Sequence, residues 1–260
     1  MCQVGEQSEE QPREVWRQVG PAWVRSLEFG PSADPRATVV LVPGLGMPSY
    51  AFGTARALSS LGLRCVVLDL LRGRSGSRVP PRVLPMGQAT AAWVTQSALE
   101  GPVVLMGHST GAQVALTGAL GLQAARHDLT LVLAGLTFRS AHRTVPGLLR
   151  GAATAYRQDS LREMAALRSL TRAGSDVVRL VRSGQRDRPE ERVPGLRVPL
   201  VLTAGEAATF APEAWMRTVA AASGSPATGV SVLPGSHNNL FTHAAAVAAL
   251  VAAAVPVRGF

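Results

Sequence analysis

One serine stands in a sequence context that can turn its hydroxyl into a nucleophile. The motif GHSTG, residues 107–111, follows the apolar run PVVLM and precedes the helix-like stretch AQVAL. A G-x-S-x-G sequence between a buried strand and a helix forms a sharp turn that strains the serine backbone and projects its hydroxyl above the sheet. The start of the following helix also favours developing negative charge. The motif therefore predicts a nucleophile elbow with Ser109 at its tip.

A second glycine-rich loop could stabilise the anion that such a nucleophile creates. The sequence PGLGM, residues 43–47, ends an early apolar strand. Attack on a carbonyl places negative charge on oxygen, and two N–H groups directed at that oxygen lower the energy of the transition state. We expect one backbone donor from Thr110, directly after the nucleophile, and the other from Leu45. An ordinary glycine turn is the alternative interpretation of this loop.

A base has to take the serine proton, and the expected chain order is serine, acid, histidine. His237 lies late in the chain, on the loop that follows the stretch GVSVLPG. Position and order make it the predicted base. The other histidines lie inside the elbow, beside the strand-like LTLVLAG or in the terminal helix-like stretch, and they are His108, His127, His142 and His243.

With these residues in place, the chain resembles the α/β-hydrolase superfamily, in particular its small bacterial esterase-like members. The matching stretches are LVPGLGMPSYAF, VVLDLLRGRSGS, VVLMGHSTGAQVAL, VPLVLTAGEAATFAP and VLPGSHNNLF. They cover both halves of the expected sheet, residues 37–135 and 195–252. The resemblance implies an α/β-hydrolase fold with a Ser–His–acid triad, and it implies no cofactor and no metal.

The acid of that triad is missing from both positions where the resemblance places it. Relatives usually hold it in a pattern like G-E-x-D-x-x-x-P, but residues 205–212 read GEAATFAP, so Ala208 stands at the acid position. Some relatives hold the acid after the preceding strand, where residues 135–140 read GLTFRS. The acid fixes the imidazole tautomer and stabilises imidazolium, and in a serine protease its removal alone lowers turnover by about 3 × 10⁴.

Three interpretations of this departure remain open. Glu206 could reach His237 through its longer side chain, or Glu213 or an acid from residues 136–194 could substitute. Otherwise the site is a Ser–His dyad or is not hydrolytic. The leading hypothesis is hydrolysis of an ester, thioester or lactone by Ser109 and His237. The alternatives are a non-hydrolytic tailoring enzyme, of lyase or cyclase type, and a ligand-binding protein on the same fold.

The elements around these residues alternate between strand and helix. Apolar runs such as ATVVLV and LRCVVLDL are separated by helix-like stretches, as in a mostly parallel, doubly wound sheet. We expect this core over residues 21–135 and 195–260. Residues 136–194 show helical stretches without a strong strand signal, which predicts a helical cap inserted between two strands. Residues 1–20 are rich in Glu and Gln and predict a polar N-terminal tail.

Composition favours one folded chain. Hydrophobic residues make up 47% of the sequence and charged residues 17%, which argues against a disordered chain. The longest apolar run is too short and too rich in alanine for a membrane span, and residues 1–20 lack an apolar signal core. The two cysteines provide neither a disulfide framework nor a metal-binding spacing. We expect a cytoplasmic protein without a membrane segment.

All 26 basic residues are arginine, which could simply reflect a GC-rich genome, but their excess is concentrated in the predicted cap. Residues 136–198 contain 13 arginines against 6 acidic residues, so this segment could attract a small-molecule acyl substrate that is anionic or bound to a phosphopantetheine carrier. Its aromatic residues, Phe138 and Tyr156, are too few to interleave with the arginines as stacking platforms. Nucleic-acid binding is therefore not expected.

Overall fold

The computed structural model describes residues 11–125, 128–156 and 170–256. Within them, the strands are β1 Arg13–Val19, β2 Ala22–Phe29, β3 Thr38–Val42, β4 Arg64–Asp69, β5 Val103–His108, β6 Leu129–Ala134, β7 Leu200–Gly205 and β8 Thr228–Leu233. The α-helices are α1 Phe52–Ser60, α2 Val83–Gln96, α3 Thr110–Leu122, α4 Val145–Tyr156, α5 Leu170–Arg186, α6 Pro189–Arg192, α7 Glu213–Ala222, α8 Asn239–Thr242 and α9 Ala244–Ala253. Short 3-10 turns occupy Gly44–Gly46, Pro48–Ala51, Ser140–His142 and Val193–Gly195.

The strands form one sheet in the order β1-β2-β4-β3-β5-β6-β7-β8. β2 is antiparallel to both β1 and β4, whereas every neighbouring pair from β4 to β8 is parallel. The chain begins the parallel part at β3, adds β4 on one side and then builds β5 to β8 on the other side. The winding therefore reverses at β3, and the loops that leave β3 and β5 meet at the C-terminal edge of the sheet.

Two apolar layers cover the two faces of the sheet. On one face α2 and α3 pack against each other, and Met86, Trp93 and Val114 are among the buried side chains. On the other face α1 and α9 pack together, with Leu58 and Val247 buried. β3 and β5, in the middle of the sheet, are buried along their whole length. Because both of their faces are covered, these strands appear in the sequence as continuous apolar runs.

The N-terminal segment corrects the prediction of a tail. Residues 13–19 form β1, which pairs with β2 from Arg13 opposite Glu28 to Val19 opposite Ala22. The sequence REVWRQV is rich in charged and polar residues because β1 lies at the edge of the sheet, where solvent reaches it. Gly20 takes a φ of 56° in the turn between the two strands. Residues 1–10 lie outside the described part of the chain.

The described part of the segment between β6 and β7 consists of helices, short 3-10 turns and loops. It contains α4, α5, α6 and two 3-10 turns, and no strand occurs in residues 135–156 or 170–199. α5 contacts α3 and the Gly44–Gly46 turn, the two elements next to Ser109. Residues 157–169 of the predicted cap lie outside the described part of the chain. No helix in the described ranges is long and apolar enough to span a membrane.

Candidate active site

Ser109 occupies the tip of a tight turn between β5 and α3. Its backbone has a φ of 56° and a ψ of −124°, a conformation that a residue with a side chain adopts only under strain. The Ser109 N–H donates to the carbonyl of Ala134 on β6 at 2.9 Å. A methyl group on Gly107 would lie 2.3 Å from the Gly111 carbonyl oxygen, and one on Gly111 would lie 2.2 Å from that of Val42. Both glycines of the motif are therefore required for the turn to pack.

His237 reaches Ser109 from the loop that follows β8. The Nε2 atom of His237 lies 3.0 Å from the Oγ atom of Ser109, within hydrogen-bond distance. His108 holds this loop in place, because its Nε2–H donates to the main-chain carbonyl of His237 at 2.9 Å. The structure thus brings together the predicted nucleophile and the predicted base. It also gives His108, which the sequence placed only inside the elbow, a positioning contact with the base.

The two predicted oxyanion residues also meet beside Ser109. Leu45 has a φ of 51° and a ψ of 17°, and its N–H donates to the side-chain hydroxyl of Thr110 at 2.9 Å. A methyl group on Gly44 would lie 2.9 Å from the Cβ atom of Ser109, so the loop touches the nucleophile. Sequence reasoning expected two backbone donors and missed this side-chain link. The Thr110 hydroxyl accepts the Leu45 N–H and keeps its own O–H, which can donate.

No carboxylate in the described part of the chain bonds to His237, whose Nδ1 atom is buried without a hydrogen-bond partner. Glu206, the predicted acid, is exposed beyond the end of β7 and makes no hydrogen bond to Nδ1, so its role as the acid stays a prediction. Glu213, the other named candidate, pairs with Arg217 at 2.6 Å. The acids described in the cap pair with arginines, and they are Asp176, Asp187, Glu190 and Glu191. Asp159 and Glu163 lie outside the described residues.

Small and apolar groups surround the His237 ring. A methyl group on Gly135 would lie 3.1 Å from Nδ1. The Phe210 ring packs edge-on against the imidazole, and the His108 ring lies tilted beside it, each with ring centres 5.2 Å away. On the other side of Phe210 lies a further imidazole, that of His142, with ring centres 5.1 Å apart. These neighbours explain why Nδ1 is enclosed and yet finds no acceptor.

This enclosure weakens His237 as a base. Burial, with smaller contributions from His108 and His142, lowers the pKa of His237 to about 3, so the ring is neutral at ordinary pH. A proton on Nδ1 would be a buried donor without a partner, which costs about 1–3 kcal/mol. The tautomer with its proton on Nε2 avoids that cost, but it donates to Ser109 instead of accepting from it. The site therefore places the predicted nucleophile, Ser109, next to a predicted base whose second ring nitrogen has no partner.

A model of the alpha/beta hydrolase family matches residues 39–250, which is most of the sequence. The chain belongs to the α/β hydrolase family. The match runs from β3, before the oxyanion loop, to α9, beyond the loop that carries His237. The predicted fold class, an α/β-hydrolase fold with a mostly parallel sheet and a helical insertion, is confirmed.

Solved structures with different named activities share this fold. A thioesterase domain from the curacin biosynthetic pathway is 19% identical, with a TM-score of 0.66 over 94% of this chain and 100% of that domain. A bromoperoxidase from Bacillus anthracis is 15% identical, with a TM-score of 0.70 over 93% and 99% of the two chains. An enol-lactonase from Burkholderia xenovorans LB400 is 19% identical, with a TM-score of 0.63 over 92% and 98%. Comparison with curated protein sequences gives no match.

Proposed function

We propose that this α/β hydrolase cleaves esters, thioesters or lactones, with Ser109 as nucleophile and His237 as base. The observation that carries the proposal is the 3.0 Å approach of His237 Nε2 to the hydroxyl of a serine held on a strained strand-to-helix turn. The Leu45 loop beside that serine supports the same reaction, because acyl transfer needs donors at the oxyanion.

In the first half of this reaction, Ser109 Oγ attacks the substrate carbonyl while its proton passes to Nε2 of His237. The oxyanion receives one hydrogen bond from the Thr110 N–H. A second comes from the Leu45 N–H or from the Thr110 O–H, which lie next to each other. Collapse of the tetrahedral intermediate breaks the bond to the alcohol or thiol, which takes the proton from His237, and leaves Ser109 acylated. Water then attacks the acyl group in the same way, and the carboxylic acid and the free serine are released.

The unsupported base narrows the substrates that such a site can turn over. Base catalysis matters most where the carbonyl is a poor electrophile and the leaving group is strongly basic. A thiol has a pKa of about 8.5, so a thiolate leaves readily. Aryloxides and enolates are also weakly basic and leave readily for the same reason. We therefore place thioesters, activated esters and enol lactones ahead of alkyl esters and amides as substrates.

Covalent labelling with a fluorophosphonate probe tests the proposed function. We expect wild-type protein to be labelled at Ser109 and the Ser109→Ala variant to remain unlabelled. Ser60→Ala, which changes a serine at the end of α1, is the matched control and should be labelled like wild type. Hydrolysis of para-nitrophenyl acetate and of a short thioester is measured in parallel. A folded wild-type protein that neither reacts with the probe nor cleaves either substrate would overturn the proposal.

A non-hydrolytic reaction of lyase or cyclase type is the second candidate. The observation that favours it is the buried Nδ1 atom of His237, since without an acceptor there the base is ill suited to repeated acyl transfer. The bromoperoxidase among the structural neighbours carries the same fold under a different activity name. In a non-hydrolytic enzyme Ser109 binds the substrate without being acylated, so the probe leaves it unmodified. Labelling therefore separates the two candidates.

A further inference from the structure

Arg139 is a half-buried cation that has no acidic partner in the part of the chain that the structure describes. Its Nε atom is buried without a hydrogen-bond partner, and no acid among the described residues pairs with it. The comparable arginines near the cap are neutralised, Arg143 by Glu190 at 2.5 Å and Arg192 by Asp187 at 2.7 Å. A buried N–H donor without an acceptor is costly, and at Arg139 this donor is the Nε–H group. An arginine in this condition therefore marks a place where a ligand can supply the partner.

The position of Arg139 connects it to the candidate active site. It lies in the loop that leaves β6, beyond Gly135, whose main chain faces the His237 ring. The main chain of Arg139 is joined to that of His142, because the His142 N–H donates to the Arg139 carbonyl at 2.9 Å. The His142 ring packs on Phe210, which packs in turn on His237. The rings of His237, Phe210 and His142 thus form a row, and a main-chain hydrogen bond joins its last member, His142, to Arg139.

His142 adds a second unpaired group next to this arginine. The residue is only 4% exposed, and its Nδ1 atom is buried without a partner. Burial, followed by the nearby charge of Arg139, lowers the pKa of His142, so its ring is neutral at ordinary pH. A neutral imidazole can keep its proton on Nδ1 and donate it to an acceptor. A guanidinium fork beside such a donor suits the oxygens of a carboxylate or a phosphate.

We propose that Arg139, assisted by His142, binds an anionic group of the substrate, a carboxylate or a phosphate, away from the bond that Ser109 cleaves. This inference rests on the proposed hydrolase function and names its substrate class, esters or thioesters that carry a negative charge. It also gives the arginine-rich segment a specific role. Two arginines of the segment, Arg143 and Arg192, are neutralised by acids, whereas the half-buried Arg139 has no acid partner among the described residues.

Pairs of esters that differ by one charge test this proposal. The first pair carries the charge on the acyl side and compares mono-para-nitrophenyl glutarate with para-nitrophenyl pentanoate. The second pair carries it on the leaving group and compares meta-carboxyphenyl acetate with phenyl acetate. We expect Arg139→Gln to raise KM for a charged ester by about 10- to 100-fold, the value of a charged hydrogen bond, and to leave its neutral partner unchanged. The pair that responds shows which side of the substrate carries the anion.

The matched control is Arg182→Gln, which removes an exposed arginine of α5 and the same formal charge. Because an exposed charge is screened, we expect it to change KM for the charged esters by less than about twofold. Arg139→Lys keeps a positive charge without the guanidinium fork, and it replaces the glutamine variant if that variant does not fold. We expect an intermediate KM for the lysine variant. Equal effects of Arg139→Gln and Arg182→Gln, or no response of either pair, would overturn the proposal.

Failure of the proposed function would have a different signature. If folded wild-type protein cleaves none of the four esters, the hydrolase proposal fails, and anion binding is then measured without catalysis. Calorimetric titration of Ser109→Ala with glutarate, and separately with inorganic phosphate, provides this measurement. Binding that the additional Arg139→Gln change weakens about tenfold or more would support the anion site. No binding, or equal binding by the two variants, would overturn it.

Discussion

Around Ser109 the main chain leaves almost no freedom, whereas around the Nδ1 atom of His237 the support that such a base needs is missing. Gly107 and Gly111 occupy places where any side chain would collide with main-chain atoms. Nδ1, in contrast, is buried without an acceptor. A turn enforced by main-chain packing is tied to the fold itself, while a carboxylate is a single side chain whose loss leaves the sheet intact. The elbow is therefore a consequence of the fold. The surroundings of His237, in contrast, should determine the rate of any reaction at Ser109.

Removing the nucleophile should have the largest effect. We expect Ser109→Ala to lower ester hydrolysis by about 10³-fold or more, because no acyl-enzyme can form. His237→Ala should lower it by only about 10- to 100-fold, because this histidine already lacks the acid that makes such a base effective. Initial rates with para-nitrophenyl acetate measure both losses. Equal losses would show that His237 is fully supported and would remove the contrast between the surroundings of Ser109 and those of His237.

The link between the oxyanion loop and the elbow should have the next largest effect. Thr110→Val keeps the shape of the side chain and removes the hydroxyl that receives the Leu45 N–H. We expect kcat to fall by about 10²-fold, as for a lost oxyanion donor, with little change in KM. Thr95→Val, at an exposed position on α2, is the control. A higher kcat in Thr110→Val would instead mean that the hydroxyl blocks the Leu45 N–H.

Adding a carboxylate at position 208 should give His237 part of the support that it lacks. We expect Ala208→Asp to raise esterase activity by about tenfold, because a carboxylate there can hold the proton on Nδ1 of His237 and stabilise imidazolium. The gain should stay far below about 10⁴, since Ala208 is buried among groups that do not support an acid. Glu206→Gln is the paired control, and because Glu206 is exposed we expect no change. Lost activity in Glu206→Gln, together with no gain in Ala208→Asp, would restore Glu206 as the acid.

The pH–rate profile should show the smallest effect, and it tests whether the pKa of His237 is as low as its unsupported position implies. His237 acts as a base only when neutral, and its pKa of about 3 places the acidic limb unusually low. We expect kcat/KM to hold steady from about pH 8 to about pH 4 and to fall as the pH passes below the pKa. In Ala208→Asp the new carboxylate favours the charged ring, so the limb should move up toward the ordinary histidine value of about 6.5. Profiles are compared only where circular dichroism shows folded protein, and a wild-type limb near that ordinary value would contradict the unsupported base.

The parts of this site that could be predicted from the sequence are those with local signals. The glycine spacing of GHSTG and the apolar run before it specify a strand, a turn and a helix within a few residues. The meeting of Ser109 and His237 follows from the order of elements that the hydrolase resemblance implies. The strands β3 to β7 also carry strong apolar patterns, since both faces of this part of the sheet are covered.

The parts that could not be predicted depend on the direction in which side chains point. Glu206 lies two residues before the position where the resemblance places the acid, and it is exposed, which no neighbouring residue in the sequence reveals. The bond between Leu45 and Thr110 joins residues far apart in the chain and exists only once β3 and β5 lie side by side. Composition was misleading at β1, because an edge strand with one solvated face has the residue content of a tail.

That edge strand has a consequence for the protein in concentrated solution. An outermost strand presents unpaired N–H and C=O groups, on which a second molecule could continue the sheet, and charges along the strand oppose this. β1 carries such charges at Arg13, Glu14 and Arg17, whereas β2 beneath it is mostly buried. Trimming the chain at Gly20, as its composition would suggest, would turn β2 into the new edge and expose its apolar residues. We therefore expect removal of β1 to promote self-association of the protein through the exposed edge of β2.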